Sequence, residues 1–209
     1  MPPQEAAQAF AVATAGANEG DPKWTALLGH FYHKGIAVEK DLRMARHYYE
    51  VSATAGERIG MNELAKMCLD GDGGARDVEC AVRWFEAAAN LEYAEAQYNL
   101  GVLYTSGAGV PQDYVKANDL FRRSAQQGYG MAYANLGVSA ANGDGMPADS
   151  IEAYKWWLVA LEHDRFQSYS VKLRQNLAEL ERRMTAADVV EAKRRAESLL
   201  AELRQPPAR

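Results

Sequence analysis

Residues 94–130 read AEAQYNLGVLYTSGAGVPQDYVKANDLFRRSAQQGYG, and the same pattern recurs along the chain at a fixed step of 36 residues. Four features of this stretch recur at equivalent positions along the chain. They are the Leu-Gly pair at 100–101, the glycine at 107, the aspartate at 113 and the aromatic residue at 121. For example, Asp113 falls in register with Asp41, Asp77 and Asp149. Self-similarity at a fixed period of this size indicates a repeat array.

Each unit has the pattern of two short helices joined by a glycine-rich turn. The first half carries an apolar stripe at helical spacing, made by Ala96, Leu100, Leu103 and Tyr104. Gly107 ends this helix, because glycine accepts the left-handed conformation of a helix C-cap. Asp113 begins the next helix by capping its free N–H groups. The second stripe consists of Ala117, Leu120, Phe121 and Ala125.

A single unit of this size does not bury enough apolar surface to fold alone, so successive units must stack. Gly101 lies beside the first stripe, and its missing side chain lets the second helix approach closely. The sequence therefore predicts an all-α fold, an α-α superhelix or solenoid of about four helix hairpins, in a single domain. The predicted parts are a capping helix at 4–20, repeats at 21–56, 57–92, 93–128 and 129–164, a closing helical hairpin at 165–204, and a disordered tail at 205–209.

Composition and charge narrow the classes of partner. The chain has 209 residues and a formal net charge of −5, which disfavours general nucleic-acid binding. No apolar run approaches the roughly 18 residues that suggest a bilayer-spanning helix, so membrane insertion is not expected. The first ten residues, MPPQEAAQAF, lack the basic region of a secretory signal. We therefore expect a cytoplasmic protein, or a periplasmic one if a leader has been removed.

The run from Ala96 to Ala117 resembles the Sel-one-like repeat, a relative of the tetratricopeptide repeat. The resemblance covers residues 21–164 and is carried by the Leu-Gly pair, the two loop glycines, the aspartate and the second-helix aromatic residue. It implies a right-handed superhelix whose concave surface binds another protein or a peptide. It implies no catalytic residues and no cofactor.

If the first helices line the inner surface, as the resemblance implies, their non-core positions form the candidate binding site. The residues predicted to bind the partner on or beside these positions are Lys23, His30, His33, Lys34, Asn62, Lys66, Tyr98, Asn99 and Asn135. This groove would be basic at its N-terminal end and apolar at its C-terminal end, and would suit a segment with an acidic group and an apolar anchor. The alternative is that these residues are only solvated helix faces.

Four other groups of residues were weighed as sites. His30 and His33 have a spacing that can hold a metal, but no third ligand is evident, and surface histidines are favoured. Cys68 and Cys80 are expected to be free thiols. Trp157 is expected in the core against the closing hairpin, with Trp156 less buried. The basic residues of the last two helices are expected to be a solvated surface.

No catalytic motif is present, since the chain lacks a Ser-x-x-Lys, Gly-x-Ser-x-Gly, phosphate-loop or His-Glu-x-x-His pattern. The sequence favours a non-catalytic scaffold or adaptor that binds a protein segment in its groove. Two alternatives stay open at this point. One is a hydrolase with a carboxylate or histidine in the groove, and the other is an inhibitory or structural subunit that binds through its outer face or its ends.

Overall fold

The computed structural model describes residues 2–163 and 169–204, and every regular element in these residues is an α-helix. The helices are α1 (Pro3–Asn18), α2 (Pro22–Lys34), α3 (Leu42–Thr54), α4 (Arg58–Asp70), α5 (Val78–Asn90), α6 (Ala94–Ser106), α7 (Tyr114–Gln126), α8 (Gly130–Asn142), α9 (Ser150–His163), α10 (Ser170–Glu181) and α11 (Ala186–Leu203). The predicted all-α class is confirmed. The predicted tail at 205–209 lies outside the described residues.

The step of 36 residues sets the start of every helix in the repeats. First helices begin at residues 22, 58, 94 and 130, and second helices begin at residues 42, 78, 114 and 150. The predicted aspartates stand directly before the second helices. The carboxylate of Asp113 accepts a hydrogen bond from the Lys116 backbone N–H at 3.0 Å, and Asp149 accepts from two such groups. These contacts satisfy helix-terminal donors that would otherwise lack partners.

The same aspartates also fix the turn within each hairpin. The backbone N–H of Asp113 donates to the carbonyl of Tyr104 at 3.0 Å, and that of Asp77 donates to the carbonyl of Cys68 at 2.8 Å. Gly71 and Gly143 end their first helices at φ values of 80° and 82°. Glycine adopts this left-handed conformation without the steric cost of a Cβ.

The glycine of the Leu-Gly pair allows the two helices of a hairpin to pack closely, as predicted. A Cβ atom on Gly101 would lie 2.6 Å from the ring of Phe121, and one on Gly29 would lie 2.9 Å from the ring of Tyr49. The aromatic ring of the second helix therefore occupies the space of the missing side chain.

The chain divides into two compact units. The first comprises Met1–Ala96 with Ala108–Val110, and the second comprises Gln97–Gly107 with Pro111–Arg209. Within the first unit, each of α1 to α4 packs against the next helix in sequence. Within the second, α7 packs on α8, α8 packs on α9, and both α10 and α11 pack on α9. This sequential packing is the arrangement predicted for stacked hairpins, whereas the single-domain organisation stays a prediction.

The closing hairpin forms where the sequence places it. Leu173, Leu177 and Leu180 of α10 are buried, as are three residues of α11. The hydroxyl of Thr185 accepts a hydrogen bond from the Asp188 N–H, and the Asp188 carboxylate accepts from the Thr185 N–H. This pair is the predicted capping box. Trp157 is buried as predicted, and its indole N–H donates to the carbonyl of Ala134 at 3.2 Å.

The two cysteines form a disulfide that joins α4 to α5, so the expectation of two free thiols is wrong. Cys68 points inward near the end of α4, and Cys80 lies in the first turn of α5. The hairpin brings their Cα atoms to 5.9 Å, within the distance that disulfides span. Arg46 of α3 donates to the Cys68 sulfur at 3.4 Å and to the Asp72 carbonyl at 3.4 Å. The turn of the second repeat is therefore held by the disulfide between α4 and α5 and by the hydrogen bonds from Arg46 of α3.

Among the described residues, no helix combines the length and the apolar character needed to cross a membrane.

Candidate functional site

A cavity of about 420 Å³ lies in the first unit between α2 and α4. Four of the predicted binding residues line it together, namely Lys23, His30, Lys34 and Lys66. The rest of the wall is formed by Ala26, Leu27, Tyr49, Ile59 and Glu63. The structure thus groups the predicted basic residues around one recess.

Helical spacing explains why these side chains meet. Lys23, His30 and Lys34 are separated by seven and four residues on α2, so they share one face. On α4, Glu63 and Lys66 are separated by three residues and share the face that Ile59 begins. Two adjacent first helices therefore present their non-core faces to the same space.

One of the three lysines, Lys66, already has its positive charge balanced by carboxylates of the fold. The Lys66 ammonium lies 3.0 Å from Glu63 Oε1 and 3.1 Å from Glu95 Oε1. Burial alone would lower the pKa of Lys66, but these two carboxylates outweigh it and the pKa is raised. Lys66 therefore stays charged and holds Glu63 in place at the edge of the cavity.

The other two lysines keep their charge uncompensated. Lys23 and Lys34 are exposed, and neither ammonium forms an ion pair with a carboxylate in residues 2–163 or 169–204. His30 lies between them on α2. Burial lowers the pKa of His30, and the positive charge of Lys34 lowers it further. The cavity thus has an excess of positive charge that can increase by one when His30 gains a proton.

Tyr49 of α3 also lines this cavity, and its hydroxyl is buried. Its side chain is 0% exposed, and its hydroxyl has no hydrogen-bond partner among the described residues. Burial raises the pKa of Tyr49, and the nearby Glu63 carboxylate adds to the increase, so the hydroxyl keeps its proton. Tyr49 lies two periods before Phe121, a position that predicts a buried ring, but the period does not show which groups surround the hydroxyl.

The other two predicted residues of the first unit lie away from the cavity. His33 is half-buried, with its Nε2 atom 3.6 Å from Asp72 Oδ2. Asn62 is 0% exposed, and its amide donates to Glu63 Oε1 at 2.9 Å. Asn62 therefore supports the Glu63 side chain from the interior and does not line the cavity.

The predicted residues of the second unit form a separate group on α6 and α8. Tyr98 is half-buried, and its ring centre lies 5.8 Å from that of Phe121 and 5.1 Å from that of Tyr129. Burial raises the pKa of Tyr98, opposed by a side-chain hydrogen bond with Asn135. Asn99 is also half-buried.

Three apolar side chains are exposed on these same two helices, and they are Val102, Met131 and Val138. They supply the apolar character predicted for this part of the chain. No group of three or more metal-ligating side chains is present in the described residues.

The basic and aromatic residues near the C-terminus have partners within the second unit. Arg194 and Arg195 both donate to the Glu191 carboxylate, at 2.7 and 2.8 Å. These hydrogen bonds lower the pKa of Glu191 to about 2. Trp156 stacks on Tyr133, and the Lys155 ammonium lies 4.0 Å from its ring centre. Arg194 and Arg195, two of the basic residues predicted to form a solvated surface, therefore take part in local ion pairs.

The helix hairpins, their inter-helix glycines and their capping aspartates define a solenoid of the tetratricopeptide-like class. The Sel1 repeat model matches four segments of the chain, residues 25–57, 59–93, 94–129 and 130–164. The chain belongs to the Sel1 repeat family. Proteins of this family are generally protein-interaction scaffolds. No curated protein sequence matches the chain.

The solved structures that are similar to the chain include the following three. A Sel1 repeat protein from Oxalobacter formigenes is 22% identical with a TM-score of 0.78, over 98% of this chain and 87% of that one. A Sel1 repeat protein from Klebsiella pneumoniae subsp. pneumoniae is 25% identical with a TM-score of 0.53, over 82% of this chain and 83% of that one.

The third similar structure is c5321, described as a protective antigen present in uropathogenic Escherichia coli strains that displays an SLR fold. It is 23% identical with a TM-score of 0.75, and the match covers 92% of this chain. The chain spans 41% of the length of c5321. At these identities, the similarities to c5321 and to the Oxalobacter protein establish the fold alone.

Proposed function

We propose that the chain is a non-catalytic scaffold that binds a segment of another protein on the exposed faces of its first helices. The observation that carries this proposal is the cavity of the first unit, where Lys23 and Lys34 face a recess with no carboxylate paired to either. Charge that the fold leaves uncompensated in a concave site is available to a partner.

The second unit supports the same function with different chemistry. Val102, Met131 and Val138 are between 36% and 40% exposed on α6 and α8. Exposed apolar side chains on adjacent helices suit the apolar side chains of a bound segment. The cavity of the first unit accordingly suits acidic residues of a partner, and the exposed apolar side chains of the second unit suit apolar residues. The negative net charge of the chain disfavours nucleic acid as the partner.

Selection from a displayed library of random peptides on the full chain tests this proposal. We expect enriched peptides whose binding is lost in the double variant Lys23→Glu/Lys34→Glu. Lys66 is left unchanged, because a glutamate there would face Glu63 and Glu95. The matched control is Arg43→Glu/Arg83→Glu, which reverses the same charge at exposed positions of α3 and α5.

Three outcomes of the library experiment would contradict the proposed function. If no peptide is enriched, or if the enriched peptides bind the cavity double variant as well as they bind the wild type, the proposed function is wrong. Loss of binding in both double variants would indicate a general charge effect and would also contradict it.

The compartment in which the scaffold works stays a prediction. The first residues favoured the cytoplasm, but the Cys68–Cys80 disulfide favours an oxidising compartment, since disulfides persist there and are rare in the cytosol. We therefore propose an oxidising compartment such as the periplasm. Alkylation of the chain in intact native cells, before any reductant is added, should leave both cysteines unmodified. Modification of both would place the chain in a reducing compartment.

A further inference from the structure

The cavity of the first unit contains a hydrogen-bond donor that the fold does not use. Tyr49 is one of the residues that line the cavity, and its hydroxyl is buried and has no partner among the described residues. Building on the proposed function, we propose that this cavity takes the carboxylate of a glutamate or aspartate side chain of the bound segment. The Tyr49 hydroxyl is the buried donor to that carboxylate.

The position of Tyr49 is fixed by its neighbours. Its ring packs against Gly29, where a Cβ atom would lie 2.9 Å from the ring. The His33 ring meets it edge-on, with 6.3 Å between the two ring centres. A buried donor without a partner costs stability, so a fold retains one most readily where a ligand supplies the acceptor.

The charges around the hydroxyl select the ligand. Glu63 is already bound by Lys66, so the available positive charges are those of Lys23 and Lys34. A carboxylate offers two acceptor oxygens, one for Tyr49 and one for a lysine. A neutral amide would turn its own donors toward at least one of these groups. The cavity therefore distinguishes glutamate from glutamine.

The apolar part of the wall suits the rest of such a side chain. Ala26, Leu27 and Ile59 line the cavity, and Ile59 is exposed at its edge. The volume of about 420 Å³ is at the small end of the range for ligand sites. It suits one amino-acid side chain with part of its backbone.

His30 makes this binding depend on pH. His30 faces Lys34 on its own helix, Glu63 and Lys66 from α4, and Tyr49 from α3 across the same cavity. In the empty cavity, burial and the two lysines Lys34 and Lys66 lower the pKa of His30 and so favour the neutral ring. A bound carboxylate favours the protonated ring, so binding takes up a proton and strengthens as pH falls from 7.5 to 5.5.

The first experiment is an NMR titration of the isotopically labelled full chain with two small probes. One probe is N-acetyl-glutamate N-methylamide, and the other is its neutral isostere N-acetyl-glutamine N-methylamide. We expect the glutamate probe to shift the ring signals of Tyr49 and His30, and the glutamine probe to leave them in place. Equal shifts with both probes, or shifts only at other residues, would overturn the assignment.

The variant Tyr49→Phe isolates the hydroxyl, because it keeps the ring that fills the space beside Gly29. We expect it to weaken the glutamate probe by about tenfold or more, as expected for a hydrogen bond to a charged group. His30→Gln should abolish the pH dependence while leaving binding at pH 7.5 within about twofold. Unchanged affinity in Tyr49→Phe would show that the hydroxyl does not contact the ligand.

Inorganic phosphate tests the other source of anionic oxygens. We expect it to compete at least tenfold more weakly than the glutamate probe, because phosphate has no apolar part for Ala26, Leu27 and Ile59. Tighter binding of phosphate would replace the carboxylate assignment by a phosphate site.

The peptide selection separates this inference from the proposed function. Peptides that bind the wild-type chain and share an acidic residue needed for binding support both. Peptides that lose binding in the cavity double variant, but bind the wild type equally well when every acidic residue is replaced by its amide, leave the scaffold function intact and overturn the carboxylate cavity. Selection of no peptide at all contradicts the scaffold function itself.

Discussion

Gly137 of α8 lies so close to Trp157 of α9 that a Cβ atom on the glycine would stand 2.3 Å from the indole nitrogen. The same indole N–H donates to the Ala134 carbonyl one turn earlier on α8. The tryptophan therefore fills the place of the missing side chain and is tied to the same helix by a hydrogen bond.

Gly137→Ala should lower the free energy of unfolding by about 1–3 kcal/mol, since the ring must move to make room. At an exposed helix position the same change would raise stability by up to about 1 kcal/mol, so the sign of the effect is decisive. Urea unfolding followed by tryptophan fluorescence measures it. Val138→Ala, at an exposed neighbouring position, is the control and should change stability by less than about 0.5 kcal/mol.

Two buried tyrosines should respond differently to loss of the hydroxyl. The Tyr133 hydroxyl donates to the carbonyl of Ala125, so Tyr133→Phe should cost about 1 kcal/mol. The Tyr49 hydroxyl has no partner among the described residues, so Tyr49→Phe should leave the free energy of unfolding unchanged or slightly higher. Urea unfolding of both variants checks this. An equal loss in both would mean that Tyr49 has a structural hydrogen bond.

The sequence predicts the fold well because each decisive feature is local. Asp113 and its equivalents cap the helices that follow them, and Gly71 ends its helix, through contacts within a few residues. The residues that make these contacts recur every 36 residues, so they can be recognised from the sequence. The close approach at Gly101 is also predictable, because the glycine and Phe121 keep one phase in the repeat.

The site is predicted only in part, because it depends on distances between helices. Lys23, His30, Lys34 and Lys66 are assigned to one surface from their phase, and the structure places all four around the cavity. Asn62 has a similar phase but is buried, as is Ala26, its equivalent 36 residues earlier, since the period does not show which edge of a helix face a neighbouring helix covers. The pairing of Cys68 with Cys80 depends on the packing of α4 on α5, which no periodicity measures.

Reduction of the disulfide should destabilise the chain. Cys68 and Cys80 are 12 residues apart, and closing a loop of this size stabilises a fold by about 3 kcal/mol through its effect on the unfolded chain. We expect a lower unfolding midpoint in urea when a reductant is present. The double variant Cys68→Ala/Cys80→Ala is the control, and its midpoint should not respond to reductant. A wild-type midpoint that is equally insensitive would contradict the bond.

Stability should fall on mild acidification because of two histidines. Burial lowers the pKa of both His30 and His33, and Lys34 lowers it further, whereas in the unfolded chain a histidine has its ordinary pKa of about 6.5. The unfolded state therefore takes up protons first as pH falls below about 6.5. The stability associated with neutral His30 and His33 is fully present above that pH and is lost as pH falls through the lower folded-state values.

The double variant His30→Gln/His33→Gln should show a smaller loss of stability between pH 7.5 and 5.5 than the wild type. Urea midpoints at the two pH values give the comparison. His47→Gln, which alters an exposed histidine of α3, serves as the control and should keep the wild-type dependence. An unchanged dependence in the double variant would assign the effect to other groups.

The helix starts at residues 22, 58, 94 and 130 carry a consequence for how such a chain can change in evolution. Recombination between equivalent points of two repeats adds or deletes one whole hairpin and leaves every cap and inter-helix glycine in register. Length can therefore vary between relatives by complete hairpins. The residues that line one cavity, such as Lys23 and Tyr49, stay together because they belong to one pair of neighbouring repeats.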